Sequence, residues 1–149
     1  MTIKKADPEH HIILSDIAFK GKAYWNYDFE LLNSWRENLT LSKDYIKENK
    51  VYVVCENEKI IAFYSLLHTE STTYKIDFLF MYPEFIGRGI GKLLLEHSIQ
   101  IAKTNSIKRI ILDADPNAER FYCHFGFTTY AKLESSIKDR FLPQMELLL

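Results

Sequence analysis

The chain has 149 residues, of which 47% are hydrophobic and 26% are charged, as in an ordinary globular protein. This length suits one domain with one core, so we expect residues 1–149 to form a single domain. Nineteen basic residues offset twenty acidic ones, which leaves a net charge of −1 and argues against a nucleic-acid partner. Two cysteines are too few for a disulfide scaffold.

Two further classes of protein are not favoured. The apolar stretches fall far short of the roughly 20 residues that a membrane-spanning helix needs, and the N-terminus lacks the apolar core of a signal peptide. We therefore expect a cytoplasmic protein without a membrane partner. The histidines and cysteines show no metal-ligand spacing, so we expect no metal site.

The first third of the chain predicts helices. Pro8 follows Asp7 as the first turn of a helix would follow its cap, and Asp28 and Ser42 suit the caps of two more.

The same region carries a group of aromatic side chains: Tyr24, Trp25, Tyr27 and Trp35. Aromatic walls suit a flat or cationic ligand, so we expect Tyr24, Trp25 and Tyr27 to line a substrate site. The alternative, in which these rings pack helices onto the sheet, stays open for Tyr24 and Tyr27 and is favoured for Trp35.

From residue 51 the pattern changes to strands. Residues 51–55 and 60–67 flank a polar turn and predict an antiparallel hairpin, and residues 74–81 predict a third strand that is apolar on both faces near its end. Further along, the pattern predicts an amphipathic helix, a strand, a short helix and two strands, in this order: 90–103, 108–112, 116–123, 127–130 and 145–149. This order predicts a mixed α/β fold.

Three of the five glycines fall in one window, Gly87-Arg88-Gly89-Ile90-Gly91, between a buried strand and an amphipathic helix. Glycine permits unusual dihedral angles and close approach to a ligand, and a helix N-terminus presents unpaired N–H groups. Together these features favour an anion site, most naturally for phosphate, over a merely flexible turn. Arg88 and Lys92 add positive charge at the same place.

Two nucleotide-binding motifs fit this window poorly. A P-loop would need glycine at Ile86 and a hydroxyl residue at Leu93. The dinucleotide fingerprint would need a third glycine at Lys92 or Leu94.

The window Tyr82–Leu95 resembles the acyl-CoA pyrophosphate loop of the GNAT superfamily of N-acetyltransferases, with the pattern Gln/Arg-x-x-Gly-x-Gly/Ala. Gly89 and Gly91 match its glycines, and Ile86 replaces the usual Gln or Arg. The block Asp115–Phe127 is similar to a later segment of the same family. The resemblance covers about residues 50–149.

The resemblance implies a mixed, mostly antiparallel sheet that splays at its centre, with helices on both faces. It implies acetyl-CoA as cosubstrate, with the diphosphate on the amides of Gly87 to Lys92. It also implies that the pantetheine arm bonds to the backbone near Phe80 and Met81, and to Asn117. We count Ile86 and Ile90 with this cofactor-binding set.

The implied reaction is direct acetyl transfer from a thioester to an amine of a small molecule or a protein. In the family, a tyrosine at the position of Tyr122 commonly protonates the sulfur; the alternative is a core aromatic residue. The Glu that some members carry on the central strand falls on Lys75. Asp77 lies on the same strand face and could act as base if burial raises its pKa, or could be structural. His68 is a weaker candidate, and a chain of waters in place of any dedicated base is a further alternative.

A second class of function stays open. Ile86 and the missing strand Glu would also suit a non-catalytic acyl-CoA binding or sensing module. In either case we expect a monomer or homodimer.

Overall fold

The fold combines seven strands with five α-helices, as the computed structural model of residues 1–149 shows. The strands, β1 to β7 in chain order, are Thr2–Lys5, Lys50–Glu56, Lys59–Glu70, Thr73–Met81, Arg109–Asp113, Thr128–Glu134 and Phe141–Leu148. The α-helices, α1 to α5, are His11–Ala23, Phe29–Ser34, Lys43–Glu48, Ile90–Thr104 and Glu119–His124. Short 3-10 turns cover Pro8–His10, Pro83–Phe85 and Pro116–Ala118.

The seven strands follow the order β1-β2-β3-β4-β5-β7-β6. The pairs β1–β2, β2–β3, β5–β7 and β6–β7 are antiparallel, whereas β4 and β5 are parallel. Parallel neighbours need a crossover connection, and α4 provides it. The parallel register joins Thr73–Ile76 to Arg109–Leu112, which is the first part of β4 only. The prediction of a mixed, mostly antiparallel α/β fold is confirmed.

The chain divides into two compact units, which are described separately. The first contains Met1–Leu66 and Phe78–Ser98. Its core includes one face of α1, where Leu14, Ile17, Ala18 and Gly21 are buried at the spacing of successive helical turns. The expectation that residues 1–149 act as one domain stays a prediction.

The second unit contains Leu67–Asp77 and Ile99–Leu149. Alternate residues of β5 are buried, with Ile110 and Leu112 almost inaccessible, and Phe127 and Met145 complete this core. No helix of the structure is both long and apolar enough to cross a membrane.

Three strands differ from the sequence-based prediction. Strand β1 was not predicted, because it has no hydrophobic alternation: Ile3 is its only half-buried residue. Backbone pairing with β2 holds β1 in the sheet. Strand β6 extends beyond 127–130, and β7 begins before residue 145. The side chains of β6 are almost all exposed, and Pro143 lies inside β7, so hydrophobic alternation underestimates both strands.

Candidate functional site

The clustered glycines lie between the Pro83–Phe85 turn and helix α4. Gly87 has a φ of +88° and Gly89 has a φ of +79°, a region that side chains with a Cβ rarely adopt. A Cβ added at either position would meet no atom within 4 Å. The backbone conformation, not crowding, therefore requires glycine, and the prediction of unusual dihedral angles is confirmed for these two residues.

The amides that follow belong to the first turn of α4. The carbonyl of Gly89 accepts the N–H of Leu93 at 3.1 Å, which is the first bond of the helix. By helix geometry, the N–H groups of residues 90–92 have no carbonyl partner within α4, and the helix dipole places partial positive charge there. Such a terminus suits an anion through its main chain. The side chain of Ile86, 41% exposed and without polar atoms, takes no part in it.

The two positive charges beside the loop both have carboxylate neighbours. Arg88 Nη1 lies 3.0 Å from Glu56 Oε2 and Arg88 Nη2 lies 2.6 Å from Glu56 Oε1, which is a two-point ion pair. This pair holds the pKa of the Glu56 carboxyl below its usual value. Lys92 Nζ lies 3.8 Å from Glu96 Oε1. The sequence predicts the charges but not that Arg88 is already paired.

The end of β4, where Phe80 and Met81 lie, packs closely against α1. A Cβ on Gly21 would stand 2.8 Å from Phe80 Cδ1 and 3.2 Å from the Met81 carbonyl oxygen. The hydroxyl of Tyr82 donates to Asp16 Oδ2 at 2.7 Å, which lowers the pKa of Asp16. Helix α1 is thus fixed against the strand end. The sequence analysis did not predict this close approach, and the signal that could have indicated it is Gly21 inside a helical pattern.

Tyr122 lies on α5 in the second unit and is 8% exposed. Its ring packs edge-on against Phe121 and Phe127, at centroid distances of 5.1 and 5.7 Å. Burial, with the negative charge of Asp115 as a smaller cause, raises the pKa of Tyr122. The hydroxyl is therefore protonated at neutral pH, as a proton donor must be. The ring of Tyr122 packs in the hydrophobic core.

Asn117 opens the same segment. Its side-chain Nδ2 donates to Asp115 Oδ1 at 2.9 Å, and its backbone N–H donates to the same oxygen at 2.8 Å. Asp115 therefore caps the turn that precedes α5. Asn117 itself is exposed.

Asp77 is exposed, so the structure does not provide the burial on which its role as base was conditioned. Lys75 donates to Asp113 Oδ2 at 2.9 Å, and Gln144 Nε2 donates to Asp113 Oδ1 at 3.1 Å. This polar row joins β4, β5 and β7, and the sequence did not predict it. His68 Nε2 lies 3.2 Å from the carbonyl oxygen of Ser71, beside a turn.

The aromatic residues after α1 form two pairs. The rings of Tyr24 and Trp25 meet edge-on at 5.0 Å, and both side chains are exposed. The rings of Tyr27 and Trp35 meet edge-on at 4.9 Å, and Lys22 Nζ lies 5.4 and 5.1 Å from their centroids. A cation of the chain itself thus lies against the second pair.

The model of the acetyltransferase (GNAT) family matches residues 16–127, which is most of the chain. This span includes the glycine loop, the end of β4 and Tyr122, so the chain belongs to the GNAT acetyltransferase family. The resemblance stated from the sequence is confirmed, as is the prediction that the protein is an enzyme of the N-acetyltransferase class.

Individual relatives agree with this family. The peptidyl-lysine N-acetyltransferase YjaB of Salmonella typhimurium is 28% identical over 124 residues, which cover 82% of this chain and 80% of that protein. An uncharacterized N-acetyltransferase, ycf52, of Gracilaria tenuistipitata var. liui is 41% identical over 49 residues, which cover 33% of this chain and only 27% of that protein. The fold is similar to that of the PaiA N-acetyltransferase of Thermoplasma acidophilum in complex with coenzyme A, with a TM-score of 0.81, 21% identity, and coverage of 99% of this chain and 98% of that one.

Proposed function

We propose that this protein transfers an acetyl group from acetyl-CoA directly to the amine of a small molecule or a protein. The observation that carries the proposal is the loop in which two positive-φ glycines lead into the first turn of α4. Membership of the family and the coenzyme A complex of the Thermoplasma protein support it.

In this proposal the cofactor is held mainly by main-chain groups. The N–H groups of residues 87–92 bind the diphosphate, for which Ile86 offers no side-chain contact. The backbone at Phe80 and Met81 bonds the pantetheine arm, and the exposed amide of Asn117 adds a side-chain bond. The packing of α1 on the end of β4 keeps that backbone in place.

The reaction requires deprotonation of the acceptor nitrogen, stabilisation of negative charge on the carbonyl oxygen and protonation of the leaving thiolate. The acceptor ammonium loses one proton, and the free amine attacks the thioester carbonyl. The C–N bond forms, the nitrogen releases a second proton to solvent, and the C–S bond breaks to release a thiolate. The N–H of Met81 stabilises the developing oxyanion, and the protonated hydroxyl of Tyr122 gives its proton to the sulfur. Burial suits Tyr122 to this part, because it keeps the hydroxyl protonated.

We propose Asp77 as the group that collects the amine proton, through water because its side chain is exposed. An Asp77→Asn variant should then have a lower kcat while the KM for acetyl-CoA stays the same. An unchanged kcat would remove Asp77 from this role and leave the proton to solvent.

For the acceptor we propose a site lined by Tyr24, Trp25 and Tyr27. Tyr24 and Trp25 are exposed, at 45% and 38%, and are free to cover the stem of an amine. The name of the Salmonella relative supports a lysine side chain of a protein as one acceptor.

The test is thiol release from acetyl-CoA over a panel of amines that includes polyamines, amino acids and lysine-containing peptides. Turnover that depends on one acceptor class, with product mass increased by one acetyl group, supports the proposal. Tight coenzyme A binding without turnover on any amine would instead favour a non-catalytic binding or sensing module. The replacement of the family's usual Gln or Arg by Ile86 would agree with that outcome. Absence of coenzyme A binding would contradict both functions.

A further inference from the structure

Arg88 lies at the tip of the glycine loop, between the two residues with positive φ. Its guanidinium makes a two-point ion pair with Glu56 at the end of β2, 32 residues earlier in the chain. The guanidinium carbon also lies 5.4 Å from the centroid of the Phe85 ring, just before the loop. Both contacts join the loop to structure outside it, and both lie within the first unit.

Glu56 itself stands on a rigid support. It pairs with Lys59 across a two-residue hairpin turn, and Asn57 and Glu58 both have positive φ, at 51° and 67°. Strand β2 is bonded to β1 on one side and β3 on the other. A two-point Arg–carboxylate pair has a fixed planar geometry, so it transmits this rigidity to Arg88.

The loop needs such a support. Two positive-φ glycines within three residues leave the backbone free to take other conformations, because glycine has no Cβ that restricts its dihedral angles. A diphosphate binds well only to amides that already point toward it.

We propose that Glu56 is a positioning residue for acetyl-CoA binding: its ion pair with Arg88 holds the loop in the conformation that presents the amides of residues 87–92. This inference rests on the proposed function of the loop. It assigns Arg88 to the loop's own structure and leaves the diphosphate to the main chain.

Charge alone and the proposed positioning role predict opposite changes in coenzyme A affinity when the Glu56 carboxylate is removed. The direction of the measured change therefore tests the proposal. A carboxylate near an anion site repels a diphosphate, so its removal should tighten coenzyme A binding if charge alone matters. Removal should weaken binding if the carboxylate holds the loop. Glu58, two residues further on the same hairpin and exposed, carries the same charge and provides the matched control.

The experiment measures the Kd of coenzyme A by calorimetry, and kcat and KM for acetyl-CoA, in the full chain. In Glu56→Gln we expect Kd and KM to rise roughly fivefold or more, the order of one lost coupling contact, while kcat at saturation stays the same. Arg88→Lys keeps the positive charge but cannot make the two-point contact with Glu56, so its Kd and KM should rise as in Glu56→Gln. The double variant Glu56→Gln/Arg88→Gln should be no weaker than Arg88→Gln alone, and Glu58→Gln should bind as wild type or slightly tighter.

Two outcomes separate the inference from the function on which it rests. Unchanged or tighter binding in Glu56→Gln, with wild type binding normally, would overturn the positioning role alone. Failure of wild type to bind coenzyme A would overturn the proposed function and this inference together. If Glu56→Gln does not fold, Arg88→Lys on the exposed loop carries the same test, and wild-type affinity there would overturn the inference.

Discussion

The hydroxyl of Tyr122 is the most sharply testable atom of the proposed mechanism. Its ring packs against Phe121 and Phe127, so a change to phenylalanine keeps the packing and removes only the oxygen. In Tyr122→Phe we expect kcat to fall roughly 10²-fold or more, as for loss of a general acid, with little change in the KM for acetyl-CoA. Steady-state thiol release measures both.

Tyr130 provides the control for that substitution. It is an exposed tyrosine in the same unit, 45% accessible, and its ring lies 5.0 Å from the guanidinium carbon of Arg109. Tyr130→Phe should keep wild-type kcat. Equal turnover in Tyr122→Phe and wild type at saturating acetyl-CoA would remove Tyr122 from the acid role.

The pH dependence of the rate follows from the burial of the same hydroxyl. Burial disfavours the phenolate and raises the pKa of Tyr122, so the donor form persists to higher pH than in an ordinary tyrosine. We therefore expect kcat in the wild type to show no alkaline fall below about pH 10, the usual tyrosine pKa. A fall with a midpoint near pH 8 would contradict a protonated, buried Tyr122 as the acid.

At the residue scale, the sequence predicted the types of groups but not their partners. Glu56 and Arg88 are 32 residues apart, and Lys75 and Asp113 are 38 residues apart. Local periodicity carries no information about such pairs, because they form only when the strands and loops assemble. The dihedral angles of Gly87 and Gly89 could be predicted because glycine itself is the local signal.

At the element scale, the contact between α1 and the end of β4 makes an unusual prediction for Gly21. Helix propensity alone predicts that Gly21→Ala stabilises α1 by about 1 kcal/mol. The added Cβ would stand 2.8 Å from Phe80 Cδ1, so we expect a net loss instead. The free energy of unfolding should fall by roughly 1–3 kcal/mol, as for overpacking of a core.

Urea unfolding of Gly21→Ala and Gly21→Ser measures this loss. The serine variant places a further atom in the same space and should be no more stable than the alanine variant. A gain in stability in Gly21→Ala would show that α1 does not approach β4 as closely as described.

Helix α3 gives a second prediction at this scale. The Ser42 side chain accepts the N–H of Tyr45 at 3.0 Å, whereas Asp28 stands at the start of α2 without a side-chain cap bond. Ser42→Ala should lower the free energy of unfolding by about 1 kcal/mol, and Asp28→Ala should lower it less. The reverse order, measured by urea unfolding, would contradict these cap assignments.

Elements with a strong local period could be predicted to within three residues at each end. The hairpin of β2 and β3 and the amphipathic helix α4 are examples, since apolar spacing, turn residues and length agree there. Strand β1 was not predicted, and β6 was predicted only over its first residues, because both bury almost nothing and depend on backbone pairing with a neighbour. Their existence is decided by tertiary structure, not by local sequence.

At the scale of the whole molecule, the order of two sequence blocks indicated the family, and the family model extends over residues 16–127. The acceptor could not be predicted in the same way. The residues proposed to line its site, Tyr24, Trp25 and Tyr27, have both a packing and a binding interpretation, and in the structure the ring of Tyr27 already lies 5.4 Å from Lys22 Nζ.

The central claim is that the main-chain amides of residues 87–92 grip the diphosphate of coenzyme A. Titration of nitrogen-15-labelled protein with coenzyme A, followed by amide NMR, tests it most directly. We expect the signals of Gly87 to Lys92 to shift in a saturable way. Pantetheine, which carries no phosphate, is the control ligand and should leave these signals in place. Saturable binding of coenzyme A that moves other amides and leaves these six unchanged would contradict the account.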